Sequence, residues 1–220
     1  MDIIEGIETR RSIRAFRDTP IPEETLHTIL KAASNSPSYT NTQPWEAAVV
    51  CGKKKEELKS MLYELASNNA DAHPDLPMPQ SWPPEHEARS QEHGKRRLAV
   101  LGVERDNRAE REKLNLMNFE FYGAPCAILL FMDGSLNEWS IFDMGLFSQN
   151  LILAAHSLGL ESCLQASVTR YAREIKHFLG LPETKKLVIC ISLGYPDTEA
   201  SLNTYRAIKQ NPEEFTRRYG

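Results

Sequence analysis

The sequence predicts an α+β fold, and three observations support this prediction. Stretches with helical and with strand-like apolar spacing follow one another irregularly along the 220 residues, whereas a doubly wound sheet needs regular alternation. The chain contains neither a Walker A loop nor a GxGxxG fingerprint, so a nucleotide-binding Rossmann fold has no local support. Hydrophobic residues make up 41% of the chain, which is enough to build a substantial core.

The first elements are a short helix, an extended segment and a second helix. Residues 2–9 are predicted as the first helix, because Asp2 and Glu5 have the spacing of a capping box. Residues 10–17 contain alternating polar and apolar side chains, which indicates an extended chain. The second helix is predicted over residues 22–33 and begins at a proline, a common first residue of helices.

Residues 10–17, here called the arginine segment, read Arg-Arg-Ser-Ile-Arg-Ala-Phe-Arg. Four arginines within eight residues contrast with the net charge of −4 of the whole chain. A guanidinium offers a planar fork of donors to phosphate or carboxylate oxygens, and the alternation directs Ser12 and Arg14 to the same side. This favours a site for a phosphorylated cofactor. A solvated basic segment and a nucleic-acid contact stay open as alternatives on the cluster alone.

A loop dense in hydroxyl and amide groups follows the second helix. Residues 34–45 read Ser-Asn-Ser-Pro-Ser-Tyr-Thr-Asn-Thr-Gln-Pro-Trp, and almost every side chain can donate or accept a hydrogen bond. A plain connecting loop is one interpretation. A ligand-binding loop is the other, because a loop that only connects rarely needs so many polar groups.

Residues 68–122 are predicted to form an inserted segment on the substrate side of the domain. A strand at Trp45–Cys51 and a helix at Lys53–Asn68 precede it. Residues 68–84 hold five of the 13 prolines and show no period, which is typical of a lid or a binding loop. Residues 85–118 are charged and have the apolar spacing of helices.

The second half of the chain is predicted to alternate strands with helices before a polar tail. The elements are strands at Ala124–Met132 and Lys186–Leu193, a short strand and turn at Glu161–Ser167, and helices at Ile141–Leu158 and 170–179. Thr169 is the predicted N-cap of the last helix. The helix at Ile141–Leu158 is apolar around much of its circumference, so a thick core or a dimer should cover it on more than one side. The last 24 residues have few apolar anchors, which indicates disorder or a partner.

The composition argues against several classes of function. The net charge of −4 argues against general nucleic-acid binding, and no apolar run reaches the roughly 18 residues of a membrane span. No signal peptide is visible, so we expect a cytoplasmic protein. The four cysteines lie far apart in apolar runs and are predicted to be buried free thiols. No metal site is predicted, because His86 and His93 lack a third fixed ligand and suit a solvated helix face.

Five motifs occur in an order that resembles the FMN-dependent nitroreductase family. They are the arginine segment, the loop Ser-Pro-Ser-Tyr-Thr-Asn-Thr-Gln-Pro-Trp, Gln149-Asn150 leading to Leu158-Gly159-Leu160, the Ser162-Cys163 strand, and Leu193-Gly194-Tyr195-Pro196-Asp197. The resemblance spans most of the chain and is weakest over residues 68–122. Within the family, the middle segment looks most like the nitrobenzoate-reductase branch.

The resemblance implies one nitroreductase-like domain over residues 1–220, with a central, mostly antiparallel sheet flanked by helices. It also implies a homodimer with two FMN sites at the subunit interface. In such a dimer the C-terminal tail is exchanged between subunits, which would account for its polar composition.

The resemblance further implies which residues form the cofactor site. Arg10, Arg11 and Ser12 would hold the FMN phosphate and ribityl chain, and Arg14 would approach the N1/O2 edge of the flavin. The other implied groups are three loop residues from the partner subunit (Pro37, Ser38 and Tyr39), Asn41 of the same loop sequence, a strand end (Gln165, Ala166 and Ser167) and two tail cations (Arg206 and Lys209). The loop would cover and hydrogen-bond the flavin, the strand end would offer backbone N–H groups to N5 and O4, and one or both cations would bind the phosphate.

The activity implied by the resemblance is an NAD(P)H-dependent oxidoreductase that reduces nitroaromatic or quinone-like acceptors by a ping-pong mechanism. The chemistry takes place at flavin N5, so no catalytic residue of the chain is required. Selectivity would come from the inserted segment, where Trp82, Arg89, Phe119 and Tyr122 are candidates for aromatic walls or a carboxylate anchor.

Two alternatives remain at this stage. A flavin enzyme of the same fold with another reaction, such as a reductive dehalogenase, an azoline oxidase or an enone reductase, would share the cofactor site and differ in the inserted segment. A non-enzymatic nucleic-acid module would use the arginine segment, although the chain shows no helix-turn-helix or RNA-binding signature.

Overall fold

The structure, a computed structural model, describes residues 2–220 and is built around a four-stranded antiparallel sheet. The strands are β1 (Glu46–Cys51), β2 (Cys126–Asp133), β3 (Glu161–Gln165) and β4 (Lys185–Gly194), in the spatial order β1-β2-β4-β3. Every pair is antiparallel, with a register shift between Leu130 and Phe131 in the β2–β4 pair. The predicted α+β class and antiparallel sheet are confirmed.

Eight α-helices accompany the sheet within residues 2–220. They are α1 (Ile3–Thr9), α2 (Glu23–Ala33), α3 (Gly52–Ser67), α4 (Pro84–Val100), α5 (Arg108–Leu116), α6 (Glu138–Ser157), α7 (Ala172–Leu179) and α8 (Pro212–Phe215). The predicted capping box is present, since the Asp2 carboxylate accepts from the backbone N–H of Ile4 and the Glu5 carboxylate reaches back to Asp2. The charged region after residue 84 is two helices, because the chain breaks near Gly102 at a φ of 65°.

Both faces of the sheet are buried, and strand β2 shows this most clearly. Its side chains alternate between two apolar clusters, with Leu129 facing α3 and α7 and Ile128 facing α2 and α6. A strand covered on both sides has a continuous apolar sequence, as Cys126–Asp133 does. The sheet therefore forms the middle layer, and the helices flank it as the resemblance implied.

Helix α6 buries one side in the core and leaves large apolar side chains exposed on the other. Met144, Leu151 and Ile152 are buried, whereas Trp139 and Phe142 are each more than 60% exposed. One copy of the chain therefore covers α6 on one side only. Among residues 2–220, no helix has the combination of length and hydropathy that a membrane span requires.

Two sequence predictions are wrong in detail. Helix α7 begins at Ala172 behind a 3₁₀ turn, and Thr169 donates its hydroxyl to the Ala166 carbonyl instead of capping the helix, because the turn continues the chain past it. Cys51 is exposed at the end of β1, where its neighbours no longer pack over it, while the other three cysteines are buried free thiols.

The irregular segment before α4 is held to the core by a buried ion pair. Asp75 accepts a hydrogen bond from Lys176 Nζ at 2.8 Å and another from the Leu187 backbone N–H at 2.8 Å. The Lys176 side chain on α7 is only 2% exposed. One carboxylate thus joins the proline-rich segment to both α7 and β4.

Gly194, at the end of β4, faces a space too small for any side chain. A Cβ atom there would lie 2.6 Å from Pro125 Cδ and 3.1 Å from the Phe16 ring. We expect Gly194→Ala to lower the free energy of unfolding by about 1–3 kcal/mol, as overpacking typically does. Thermal unfolding measures this, with Gly94→Ala on α4 as the control, because that position has open space and alanine favours helix. Equal midpoints for the two variants would contradict the prediction.

Candidate active site

The arginine segment runs between the edge strand β3 and the turn that follows β4. The Ile13 N–H donates to the Ser162 carbonyl at 3.0 Å, and the Arg17 N–H donates to the Tyr195 carbonyl at 2.9 Å. Ser12 pairs with Ser162 as an isolated parallel bridge. Backbone hydrogen bonds at both ends therefore fix the segment in its extended conformation.

Asn203 locks the middle of the arginine segment. Its Oδ1 accepts from the Arg14 N–H at 2.7 Å, and its Nδ2 donates to the carbonyls of Ala15 and Asp197 at 2.8 Å each. The side chain is buried, so all three bonds are shielded from water. Asn203 thus positions the backbone that carries Arg14.

We expect Asn203→Ala to weaken ligand binding at the arginine segment and to destabilise the fold. Each buried group left without its partner costs about 1–3 kcal/mol. Asn203→Asp should not recover the loss, since a carboxylate accepts from Arg14 but repels the two carbonyls. Unfolding midpoints and ligand titrations measure the effect against Thr204→Ala, whose exposed hydroxyl bonds only locally. If Asn203→Ala and Thr204→Ala have the same unfolding midpoint and the same ligand affinity, the Asn203 hydrogen bonds are unimportant for both properties.

The arginine segment and the C-terminal tail enclose a cleft of about 740 Å³. Six of the residues predicted at a cofactor line this cleft together: Arg10, Arg11, Ser12, Arg14, Arg206 and Lys209. Its volume is within the usual range of small-molecule and cofactor sites, about 300–1,000 Å³. The tail folds back onto the arginine segment in the same chain, and Arg206 donates to the Thr9 carbonyl at 3.3 Å.

The cleft is strongly cationic. Arg10, Arg11, Arg14, Arg206 and Lys209 contribute positive charge, and only Glu8 among the lining residues is acidic. Arg10 Nε is buried without a hydrogen-bond partner within residues 2–220. An orphaned guanidinium donor at a cationic cleft suits an anionic ligand rich in acceptor oxygens, such as a phosphate.

His93 connects the cleft to helix α4. Its Nδ1 lies 3.0 Å from the Tyr205 hydroxyl, and the two rings meet edge to face at 5.3 Å. Burial lowers the pKa of His93, and the positive charges of Arg14, Arg97 and Lys209 lower it further. His93 therefore contributes a neutral polar ring to the cleft, and His86 does not line it. Residues 2–220 contain no group of three or more His, Cys, Asp or Glu arranged to hold a metal ion.

Tyr122 lies beside Arg14 in a strained turn. Phe121 and Tyr122 have φ values of 54° and 55°, a conformation that is costly for aromatic residues. The Tyr122 hydroxyl donates to Asn118 Oδ1 at 2.8 Å, and burial raises its pKa. Of the four predicted substrate residues, Tyr122 is the one that the structure places next to the arginine segment.

The other three predicted substrate residues lie elsewhere. Phe119 is 1% exposed and packs on Tyr171 at 5.6 Å, so its burial in the core counts against a substrate wall. Trp82 lines a separate cavity of about 770 Å³ in the proline-rich segment. Arg89 lines a cavity of about 450 Å³ between α4 and the tail, which it shares with Lys209.

The predicted loop is pinned to α6, away from the cleft of its own chain. The Tyr39 N–H donates to the buried carboxylate of Asp143, and the Tyr39 ring stacks on Trp139 at 6.0 Å. Asn41 is exposed and has a φ of 61°, and Pro37 and Ser38 complete the loop. A polar loop held in positive φ angles is a costly arrangement that usually has a functional reason.

The residues at the end of β3 that were predicted to contact the cofactor are Gln165, Ala166 and Ser167. The Gln165 side chain donates to the Asn118 carbonyl at 2.7 Å and accepts from Ser192, so it is occupied by structural bonds. The Ser162 carbonyl points away from β4 and accepts from the arginine segment. Backbone groups alternate in direction along a strand, so those of Leu164, two residues later, also point away from β4. Ala166 and Ser167 follow in the 3₁₀ turn after the strand, with Ala166 exposed and Ser167 half-buried.

Sequence reasoning missed four residues of the site. Gln149, His93 and Tyr205 line the cleft and Asn203 supports it. Gln149 belonged to a recognised motif and could have been found. The other three gave no local signal, since an isolated His, Tyr or Asn in a polar segment is usually a surface residue.

The fold and the cleft together define a class of proteins that have an antiparallel α+β core and, at the edge of its sheet, a cationic cleft suited to a phosphorylated ligand. Comparison with known proteins narrows this class. The model of the Nitroreductase family matches residues 7–195, so the chain belongs to the nitroreductase family. The family predicted from the five ordered motifs is confirmed.

Similar proteins agree with this assignment. The chain is 34% identical to the 4-nitrobenzoate reductase of Pseudomonas putida over 210 residues, covering 96% of this chain and 92% of that protein. It is also 34% identical to nitroreductase NfnB of Mycolicibacterium smegmatis over 218 residues, covering 96% and 90%. The crystal structure of the FMN-dependent nitroreductase NfnB from Mycobacterium smegmatis in complex with NADPH matches with a TM-score of 0.94 and 33% identity, over 99% of this chain and 97% of that one.

Proposed function

We propose that this protein is an FMN-dependent oxidoreductase that takes electrons from NAD(P)H and reduces nitroaromatic acceptors. The observation that carries the proposal is the single cleft that gathers the arginine segment and the two tail cations. The relatives support it, because they are a 4-nitrobenzoate reductase and nitroreductases, and one solved relative is FMN-dependent and in complex with NADPH.

The donor set of the cleft fits FMN. A phosphate dianion needs charge-assisted donors, which Arg10, Arg11 and the Ser12 hydroxyl supply. Lys209 makes no hydrogen bond or ion pair to residues 2–220, whereas Arg206 already donates to Thr9, so we assign the tail's phosphate contact to Lys209. The orphaned Arg10 Nε gives this site a donor that a bound phosphate would satisfy.

Arg14 is assigned to the N1/O2 edge of the flavin, and backbone N–H groups near Ala166 and Ser167 to N5 and O4. FMN, when bound, supplies the two-electron chemistry, and the chain holds and orients it. A guanidinium fixed at that edge favours negative charge on the ring system without any rearrangement. With this division, the reaction requires neither a Ser-His-Asp arrangement nor a metal site from the chain.

A homodimer completes this proposal. Trp139 and Phe142 on α6, with Ile3 and Ile4 on α1, leave large apolar side chains exposed, and such surfaces are usually buried by a partner. The loop bearing Tyr39 packs on α6, away from the cleft of its own chain. In a dimer, the partner subunit's Tyr39 would therefore be the one that reaches the flavin. Exchange between subunits of the tail beyond Lys209, where residues 211–220 are all exposed, is part of the same proposal.

We retain residues 68–122 as the substrate-side segment of one domain. Its helix α4 contributes His93 to the cleft, and its last turn places Tyr122 beside Arg14. A cytoplasmic location remains a prediction.

An absorbance spectrum of the purified protein tests the proposal. Bands at about 370 and 450 nm that bleach when NADPH or NADH is added without oxygen are expected for bound, working FMN. Acceptors are then compared: a nitroaromatic, a quinone, a halogenated phenol, an azoline and an enone. Faster turnover of the nitroaromatic supports the proposal. Protein that stays colourless after incubation with FMN would overturn it, and faster turnover of another class would replace nitro reduction with that reaction.

A further inference from the structure

Arg97 on helix α4 carries a positive charge that no carboxylate within residues 2–220 neutralises. Its Nη2 is buried without a hydrogen-bond partner, and no ion pair joins it to a carboxylate within residues 2–220. Its neighbours are the Arg14 guanidinium, the Tyr122 hydroxyl and the Cys163 thiol. Because an arginine stays protonated in proteins, a half-buried, unpaired guanidinium beside a second one is costly unless a ligand compensates it.

Arg97 lines a second cavity, separate from the cleft between the arginine segment and the tail that is proposed to bind FMN (the FMN cleft). A cavity of about 230 Å³ lies between α4 and α5, lined by Arg97, Arg111, Leu98, Leu114, Asn115 and Asn118 together with the Gly94 backbone. His93 lines both this cavity and the FMN cleft, so the two adjoin, whereas Arg97 does not line the cleft. Arg97 therefore belongs to a cavity that adjoins the cofactor cleft and not to the cleft itself.

The cavity has the size and lining for a single aromatic ring with an acidic group. Leu98 and Leu114 offer apolar walls, Arg97 and Arg111 offer positive charge, and no acidic residue is among the lining residues. A guanidinium pairs with a carboxylate through two parallel hydrogen bonds, which gives orientation as well as affinity. The volume is too small for a dinucleotide, so NAD(P)H is not its occupant.

We propose that Arg97 anchors the carboxylate of an aromatic acid acceptor, so that the preferred substrates are nitroaromatic carboxylates. This inference rests on the proposed nitroreductase function and deepens it. It moves the predicted carboxylate anchor from Arg89 to Arg97, because Arg89 is exposed in the cavity near the tail while Arg97 is half-buried beside Arg14 and Tyr122.

The test compares 4-nitrobenzoate with 4-nitrobenzamide, an acceptor of nearly the same shape without the charge. In FMN-loaded Arg97→Gln protein, KM for 4-nitrobenzoate should rise on the order of tenfold to a hundredfold, the usual effect of losing a charge-assisted pair. KM for 4-nitrobenzamide should change much less. Arg97→Lys should recover part of the loss, since it keeps the charge but not the fork. Lys95→Gln is the matched control, because it removes one positive charge from an exposed position of the same helix.

Binding of benzoate gives a readout that does not depend on turnover. Benzoate titrated into the FMN-loaded protein should perturb the flavin spectrum, and its dissociation constant should rise in Arg97→Gln but not in Lys95→Gln. Equal losses on 4-nitrobenzoate and 4-nitrobenzamide, or a loss of FMN affinity in Arg97→Gln, would overturn the inference and assign Arg97 to the cofactor. If wild-type protein binds benzoate through Arg97 yet reduces neither nitro compound, the proposed function fails and the carboxylate subsite stands.

Discussion

Replacing Arg14 with alanine is expected to weaken FMN binding about tenfold to a hundredfold, because a hydrogen bond to a charged group contributes roughly 1.5–3 kcal/mol. The structure holds Arg14 before any cofactor arrives: Asn203 fixes its backbone N–H, and Tyr122 lies against its side chain. The variant should also be reduced more slowly by NADPH, since positive charge at the N1/O2 edge stabilises the reduced cofactor. Titration of FMN fluorescence and anaerobic stopped-flow absorbance measure the two effects.

Arg17→Ala is the matched control for this prediction. Arg17 belongs to the same arginine segment and carries the same charge, but it is exposed, does not line the cleft, and contacts Tyr195 only through its backbone. Its FMN affinity should stay within about threefold of wild type, as expected for screened surface charges. Equal affinities of Arg14→Ala and Arg17→Ala would show that the cofactor's ring lies elsewhere.

Asp75→Ala should cause a large loss of stability. It leaves the Lys176 ammonium buried with the Lys185 carbonyl at 3.1 Å and the largely exposed Glu183 carboxylate at 3.2 Å as its remaining partners. It also removes the acceptor of the Leu187 N–H. Breaking a buried pair by removing one partner costs about 3–5 kcal/mol. For a chain of this size, the melting temperature should fall by roughly 6–20 °C.

The pH dependence of this ion pair has a definite sign. Burial alone would lower the pKa of Lys176, but hydrogen bonds to Asp75 and Glu183 outweigh it and raise the pKa above its ordinary value. A raised pKa means that the stabilisation is fully present at neutral pH and is lost as the pH rises through that value. The difference between wild type and Asp75→Ala should therefore persist through neutral pH and shrink only in strongly alkaline solution.

Two controls separate the ion pair from other effects of the substitution. Asp71→Ala removes a carboxylate from an exposed position of the same irregular segment and should leave the melting temperature within about 2 °C of wild type. The double variant Asp75→Leu with Lys176→Met should recover part of the loss, because apolar residues of similar volume replace a buried pair at little cost. A melting temperature of Asp75→Ala equal to that of Asp71→Ala would contradict the prediction.

Much of the fold could be predicted from local patterns. Strand β2 appeared as an unbroken apolar run because it is buried on both faces, and α1 was visible through its capping box. The α7 boundary was missed because Thr169 has the chemistry of a cap while the preceding 3₁₀ turn, set by packing under β4, delays the helix. Local propensity cannot foresee such a turn.

The candidate site was predictable where it consists of charge clustered in sequence. The arginine segment, the polar loop and the Gly194 turn stood out because their residue types are unusual for their surroundings, and their shared order identified the family. The substrate roles of Phe119 and Trp82 remain predictions, because an aromatic residue looks the same in the sequence whether it faces a ligand or the core.

The sequence by itself determined the α+β class, the family and the concentration of positive charge in the arginine segment, because each of these depends on residues that are neighbours in the sequence. Only the tertiary structure decided that Asn203 locks Arg14, that Asp75 pairs with Lys176, and that Arg97 stands unpaired beside Arg14. The first two contacts join residues 189 and 101 positions apart. The spacing of residues along the sequence cannot predict such contacts, because they form only when packing of the sheet and helices brings distant side chains together.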